Sequence, residues 1–522
     1  MRTLSLLLLA LAAIVLPAAV VPLQDESAEL VAEFKRYYTP KRPAGERYEA
    51  VQVLKGVDTR GAAEALLEAF EDEDFSVRRA AIDAVSGYRQ EAVARFLMDE
   101  VLLERKNKRK TLLRAGVAEA LGGMGHDFAF WPLAGLIEDR DETLRLAGVV
   151  AVGSLGNPEA CGPLGELMDD SDPTFVLAAL DSLVRIGDAP GAEPSVLKSL
   201  THDDWRVRSR AIAAIGELRL KSGIHGLIDR LRNEEGRLAG DAYTVLKRLT
   251  QRSFPDSNPD QWQIWWDRTE PKFVMPDLDK IEAARKLEAE KGTAYTKGGK
   301  SFAGIETRSE NILFVIDISG SMETPFGDLD RLRQSGRTYS STQRLGIVKE
   351  ELIQTIRDLP ESTGFNILSF ATDVKFWKKV QVKANVLNKS NAERWVSKLK
   401  PLGGKKAGFR AQTGMDKLTN DEGSTNTHLA LLTALGEPPE GRKDNMFVIT
   451  RPDTPLDTIF FLTDGEPTVG DTTDMHQIRS EVRRVNEFRR VQIHVIYVGE
   501  FPDQDFEKLA RENDGVFVSI GG

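Results

Sequence analysis

The chain has 522 residues, with 80 acidic and 70 basic side chains, a formal charge of -10 and an isoelectric point near 5.4. A single cysteine, Cys161, and six histidines exclude a disulfide framework and a soft-metal centre built on Cys and His clusters. The acidic balance speaks against a broad nucleic-acid footprint, and the length suffices for more than one domain, each with a core large enough to do without disulfides.

Residues 1–24, which open MRTLSLLLLALAAIVLPAA, read as an export signal peptide: one arginine, a leucine-rich core and small residues near 18 and 19. The apolar run reaches Val21, a little short of a full span, so an uncleaved anchor is the alternative, and membrane attachment is expected only in that case. No cysteine lies near for a lipid anchor, and no later apolar stretch reaches spanning length. The expected location is outside the cytoplasm, in the periplasm, cell envelope or medium of a bacterium, with residues 25–43 as a lead-in to the first domain.

From 44 to 250 the sequence repeats itself. Asp74, Asp141, Asp172 and Asp204 each open a similar apolar helical segment, and the last two intervals are 31 and 32 residues. The 67-residue interval before them leaves room for one divergent copy, RAGVAEALGGMG. A second apolar helix such as ACGPLGELM or GIHGLIDRL follows each, so the unit is a helix pair that buries its face only by stacking on its neighbours. This stretch resembles HEAT-type repeats, which implies an all-α solenoid serving as an interaction scaffold. The recurring D-x-x-V-R is read as a helix start, with the aspartate at the amino end and the valine packed inward. The basic run at 104–111 reads as a solvated turn, and no nucleic-acid partner is expected from it.

Residues 251–306 form a tryptophan-rich cap and helical linker. Trp262, Trp265 and Trp266 fall on one face of a short helix, and 278–292 read as a charged helix ending in the flexible TKGGKSFAG.

Beyond 307 the period becomes that of alternating strands and helices. ILFVI and IFFLT read as strands buried on both faces of a parallel sheet, each followed by an acid, Asp317 and Asp464. Ligands of open α/β sheets collect at the carboxyl ends of strands, where both acids would sit. Ser319 and Ser321 flank Gly320 in the turn after the first strand, and Thr425 precedes the helical pattern HLALLTAL, where it could bind an ion or cap the helix. Two carboxylates and three or four hydroxyls make the outline of a hard-cation site, suited to Mg2+ and, among other hard cations, Ca2+ or Mn2+. Helices are expected at 343–359, 391–399 and in DQDFEKLAREN, and strands at 364–371, 375–380, 491–499 and in GVFVSI.

D317-I-S319-G-S321-M, G423-S-T425-N and L462-T-D464-G-E-P together resemble the metal-ion-dependent adhesion site of von Willebrand factor type A domains, and the resemblance runs from about 307 to 521. It implies a doubly wound, Rossmann-like α/β fold. It implies Mg2+ held by Ser319, Ser321 and Thr425, with Asp317 and Asp464 acting directly or through water, and an acidic residue of a partner completing the coordination. Long loops at 323–342 and 401–423 set this chain apart and lie where specificity resides, and the uncommon run at 441–457 carries arginines that serve either as ligand contacts or as a solvated rim.

The expected protein is therefore an exported, non-enzymatic binding protein with no catalytic residues. Its type A domain, 307–522, recognises an Asp or Glu of a protein ligand through Mg2+, and its repeats hold a second protein. A metal-assisted hydrolase using the same site is the enzymatic alternative, though His428 is expected on its helix and no base stands beside the motifs. An ion that only stabilises the fold is a third reading. A fourth is an RNA-binding protein, because repeats joined to a type A domain are also the layout of the Ro autoantigens.

Overall fold

The aspartates that punctuate the amino-terminal half set its helix starts. In the computed structural model, which describes residues 24–254, 258–281, 283, 301–302, 305–306, 309–325, 339–402, 423–436, 456–499 and 504–520, each takes an extended conformation and its carboxylate accepts amide protons of the first helical turn. These bonds satisfy donors that have no partner within the helix. Four residues on, the repeat arginine reaches back. Arg78 donates to the carbonyls of Asp72 and Glu73, Arg145 to that of Ile137 at 3.0 Å, and Arg208 to those of His202 and Asp203 at 2.7 and 2.8 Å. The signature thus closes both sides of a turn, with the aspartate on amides and the arginine on carbonyls.

The chain divides into two units at Ala129 and Phe130. The first holds helices α1 (Gln24–Tyr37), α2 (Ala44–Val53), α3 (Arg60–Leu66), α4 (Phe75–Ser86), α5 (Glu91–Phe96) and α6 (Thr111–Met124), with α4 packed against both α2 and α6. At its amino end a buried ion pair joins Arg47 to Asp72 at 2.7 Å, and the Tyr38 hydroxyl donates to the same carboxylate at 2.7 Å.

The second unit begins with α7 (Phe130–Ala134), α8 (Glu142–Leu155), α9 (Cys161–Glu166), α10 (Pro173–Ile186), α11 (Ala189–Ser199), α12 (Trp205–Leu218), α13 (Gly223–Asn233) and α14 (Gly236–Thr250). Successive long helices α8, α10, α12 and α14 pack side by side. Gly153 permits the closest approach, since a methyl there would lie 2.4–2.7 Å from Ser182. In α15 (Pro259–Thr269), Trp262 and Trp266 are buried, and Phe254 and Phe273 meet them edge-on.

After the short antiparallel pair β1 (Ser301–Phe302) and β2 (Ile305–Glu306) comes the sheet. Its strands are β3 (Asn311–Asp317), β4 (Gly364–Phe370), β5 (Val374–Phe376), β6 (Val382–Lys383), β7 (Thr458–Thr463), β8 (Gln492–Val498) and β9 (Phe517–Ile520). The order is β5-β4-β3-β7-β8-β9. The five long strands run parallel, and β5 and β6 pair antiparallel with β4. One face packs on α16 (Arg344–Asp358) and α17 (Val386–Ser397), the other on α18 (Thr427–Ala434), α19 (Met475–Asn486) and α20 (Gln504–Glu512). Both faces are covered, which is why β3 and β7 read as unbroken apolar runs. An all-α repeat region is thus followed by a doubly wound α/β domain.

The strand expected at 375–380 is interrupted. Asn366 accepts from the Lys378 amide at 3.2 Å and donates to its carbonyl at 2.8 Å, so a side chain replaces the ladder there and the edge breaks into β5 and β6. The helix expected at 391–399 starts earlier, at Val386, because Asn385 caps it. The signal segment and most of the expected linker helix lie outside the described residues.

Candidate metal centre

β3 and β7 are parallel neighbours, so the residues after each strand emerge at the same edge. Asp317, the last residue of β3, is fully buried. One carboxylate oxygen accepts from the Ser319 amide at 2.8 Å and the other from the Thr463 hydroxyl at 2.8 Å. The Ser321 hydroxyl donates to Asp464 at 2.7 Å and lies 3.0 Å from that of Ser319. Four of the five expected residues therefore form one hydrogen-bonded cluster.

Thr425 joins it through the backbone. The Gly320 amide donates to the Gly423 carbonyl at 2.9 Å, which ties the Asp317 turn to the third stretch. The Thr425 amide donates to the Thr468 hydroxyl at 2.8 Å and its carbonyl accepts from the Thr468 amide at 2.9 Å, tying that stretch to the loop after Asp464. Thr425 is buried, and it is not the helix cap. Asn426 fills that position, its side chain accepting from the Leu429 amide. His428 is buried on α18 with its ring 3.0 Å from Glu481, which engages it in the core.

Three participants escaped sequence reasoning: Thr468, which holds the Thr425 backbone, Thr463 and Arg344. Thr463 orients Asp317, and Arg344 donates to the second oxygen of Asp464 at 2.9 Å. Arg344 had a signal: it is the first residue of α16, where a cation opposes the helix dipole and calls for a compensating acid.

Burial pushes the Asp317 carboxyl up to about 7, and the negative charge of neighbouring Asp464 adds to it, against the hydrogen bonds from Ser319 and Thr463. Two buried carboxylates with one guanidinium remain short of positive charge, and the surrounding donors are oxygens. That combination fits a hard divalent cation. Among the described residues, no three His, Cys, Asp or Glu side chains converge, so such an ion would depend on hydroxyls as well. A cavity of about 100 Å³ lies elsewhere, lined by Asp204, Trp205, Arg206 and Val491 among others, and contains none of these residues. Most of the long loops at 323–342, 401–423 and 441–457 lies outside the described residues.

At the opposite ends of the strands, Arg237 of α14 donates to the carbonyls of Asp457 and Arg490 at 2.8 and 2.6 Å, and Arg206 of α12 donates to that of Phe488 at 3.0 Å. Asp457 in turn accepts the amides of Glu310 and Asn311 at 3.1 and 3.0 Å, which anchors the start of β3.

Family profiles match HEAT repeats at 41–111, 100–184 and 163–247, and a von Willebrand factor type A domain at 338–518. Human inter-alpha-trypsin inhibitor heavy chain H4 is 26% identical over 244 residues, 47% of this chain and 21% of its own length. Heavy chain H1 of Mesocricetus auratus is 28% identical over 209 residues, 40% of this chain and 18% of its own. The chain thus spans about a fifth of the curated relatives it matches. A von Willebrand factor type A structure from Catenulispora acidiphila aligns with a TM-score of 0.27 at 16% identity, covering 41% of this chain and 39% of that one.

Proposed function

From a chain that carries HEAT repeats and a von Willebrand factor type A domain, we propose an exported, non-enzymatic binding protein whose type A domain takes up Mg2+ and uses it to recognise an acidic group of a protein partner. The observation that carries this reading is the convergence of three distant stretches, at 317–321, 423–425 and 463–468, on one sheet edge, where Asp317, Ser319, Ser321, Thr463 and Asp464 share hydrogen bonds and Thr425 is tied in through its backbone. Asp317, Ser319, Ser321, Thr425 and Asp464 are the residues that would hold the ion. When bound, it supplies a positive centre for an incoming carboxylate.

The chain's own residues prepare that role. Ser319 and Thr463 fix the Asp317 carboxylate from two sides, and Arg344 fixes Asp464, so neither acid needs to reorient when charge arrives. Engagement of His428 by Glu481 favours recognition over hydrolysis. The repeats provide a second protein-binding surface, and the apolar run at 1–21 supports export.

Calorimetric titration with Mg2+ tests the site. Asp317→Ala and Asp464→Ala are each expected to abolish the binding heat while the far-ultraviolet spectrum is kept; Mg2+ affinity unchanged in both would remove the assignment. Capture of envelope proteins in Mg2+ and again in EDTA tests the use of the ion. A partner held only with Mg2+ is expected, whereas metal-dependent melting with metal-independent capture would leave the ion a structural one.

A further inference from the structure

The outer edge of the sheet carries side chains that the fold does not use. Val380, Val386 and Leu387 are 69%, 75% and 68% exposed, all between the end of β5 and the start of α17, whereas exposed Phe376 pairs with Leu368 and lies on the other face of the sheet. They are not poorly packed core residues. Trp377 stacks on Phe365 at 5.3 Å, Val382 packs against the core and Ala384 is buried, so the intervening positions anchor the edge while Val380, Val386 and Leu387 face away.

The same stretch is strongly basic. Residues 374–392 hold Lys375, Lys378, Lys379, Lys383 and Lys389 and no acidic residue, in a chain of net charge -10. Lys383 and Lys389 donate to the carbonyls of Ser362, Arg357 and Leu359, which fixes their charges at this corner. Lys375 and Lys379 are exposed. Carboxylates border this corner at Asp358, Glu361, Asp373 and Glu393, the last paired with Arg357 at 2.8 Å, so among the described residues the exposed lysines that stay free of them are Lys375 and Lys379 on the far side.

Protruding aliphatic side chains ringed by lysines are complementary to an anionic lipid surface, where apolar groups enter the headgroup boundary and ammonium groups meet phosphate. An added peptide strand fits less well, because the edge is broken into three-residue and two-residue pieces by the Asn366 contact, the kind of interruption that prevents strand addition. We infer that the β5–β6 edge and the start of α17 form a peripheral docking surface for anionic phospholipid bilayers.

The test is co-sedimentation of the full chain with phosphatidylcholine vesicles, with and without phosphatidylglycerol, in EDTA so that the cation site takes no part. Wild type is expected to bind the anionic vesicles more tightly. Lys375→Gln with Lys379→Gln should weaken that binding by roughly 25-fold, taking about fivefold per surface lysine. Val386→Ser with Leu387→Ser should weaken binding by about tenfold through lost apolar insertion. The amino-terminal apolar run is common to all three proteins, so the difference between them reports this edge alone. Equal vesicle affinity among the three would overturn the inference. So would lipid-independent self-association that the Val386 and Leu387 changes abolish, which would make the surface a contact between copies of the chain.

Discussion

His494 lies fully inside β8, its ring stacked 4.9 Å from Phe460 and its Nδ1 accepting the Val516 amide at 3.0 Å. Burial, helped by the positive charge of Arg237, holds its pKa down to about 3. The unfolded chain takes up this proton near the ordinary value of about 6.5. The stability that the neutral ring confers is therefore complete above pH 6.5 and is lost progressively as pH falls toward 3, at a rate on the order of 1 kcal/mol per pH unit. His494→Gln should flatten the fall of melting temperature between pH 6.5 and 4.5; an acid limb parallel to that of wild type would show that other groups set it. Arg344 can be probed at the same scale. Arg344→Gln leaves Asp464 buried beside Asp317 with less positive charge, so it is expected to lower thermal stability without Mg2+, and more than half of that loss should return when Mg2+ is added.

Among the elements, the cap aspartates and the small helix-contact residues make the sharpest predictions. Asp141→Ala removes the bonds to the Thr143 and Leu144 amides and should cost about 1 kcal/mol in denaturant unfolding. Gly153→Ala forces α8 from α10 at Ser182 and should cost about 1–3 kcal/mol. A difference of less than a few tenths in the second case would mean that the helices part freely. These elements also show what the sequence could reveal. Strands β3, β7 and β8 were legible because both their faces are buried, and Asp317 and Asp464 because acids follow such runs. The break between β5 and β6 was not, since it depends on the Asn366 side chain, twelve residues from its partner Lys378. The pair β1–β2 is too short to carry a period. Arg344 was hidden because the contact it makes spans 120 residues, and only its position at a helix start hinted at it.

At the scale of the whole molecule, the last repeats and the sheet meet through Arg206 and Arg237 on backbone carbonyls. Nothing in the repeat period or in the strand runs foretold that contact, because a carbonyl acceptor leaves no mark on residue type. Arg237→Ala should split thermal unfolding into two calorimetric transitions, one for the last repeats and one for the sheet. A single transition shifted as a whole would mean that other contacts couple them.

β7 starts beside the carbonyl that Arg237 grips and ends one residue before Asp464. A pull on a ligand at the proposed cation site would therefore run lengthwise down this strand into the last repeats. Its ladders to β3 and β8 are then loaded in shear, with many hydrogen bonds sharing the force instead of opening one after another. The sheet becomes a short tension rod between grip and scaffold.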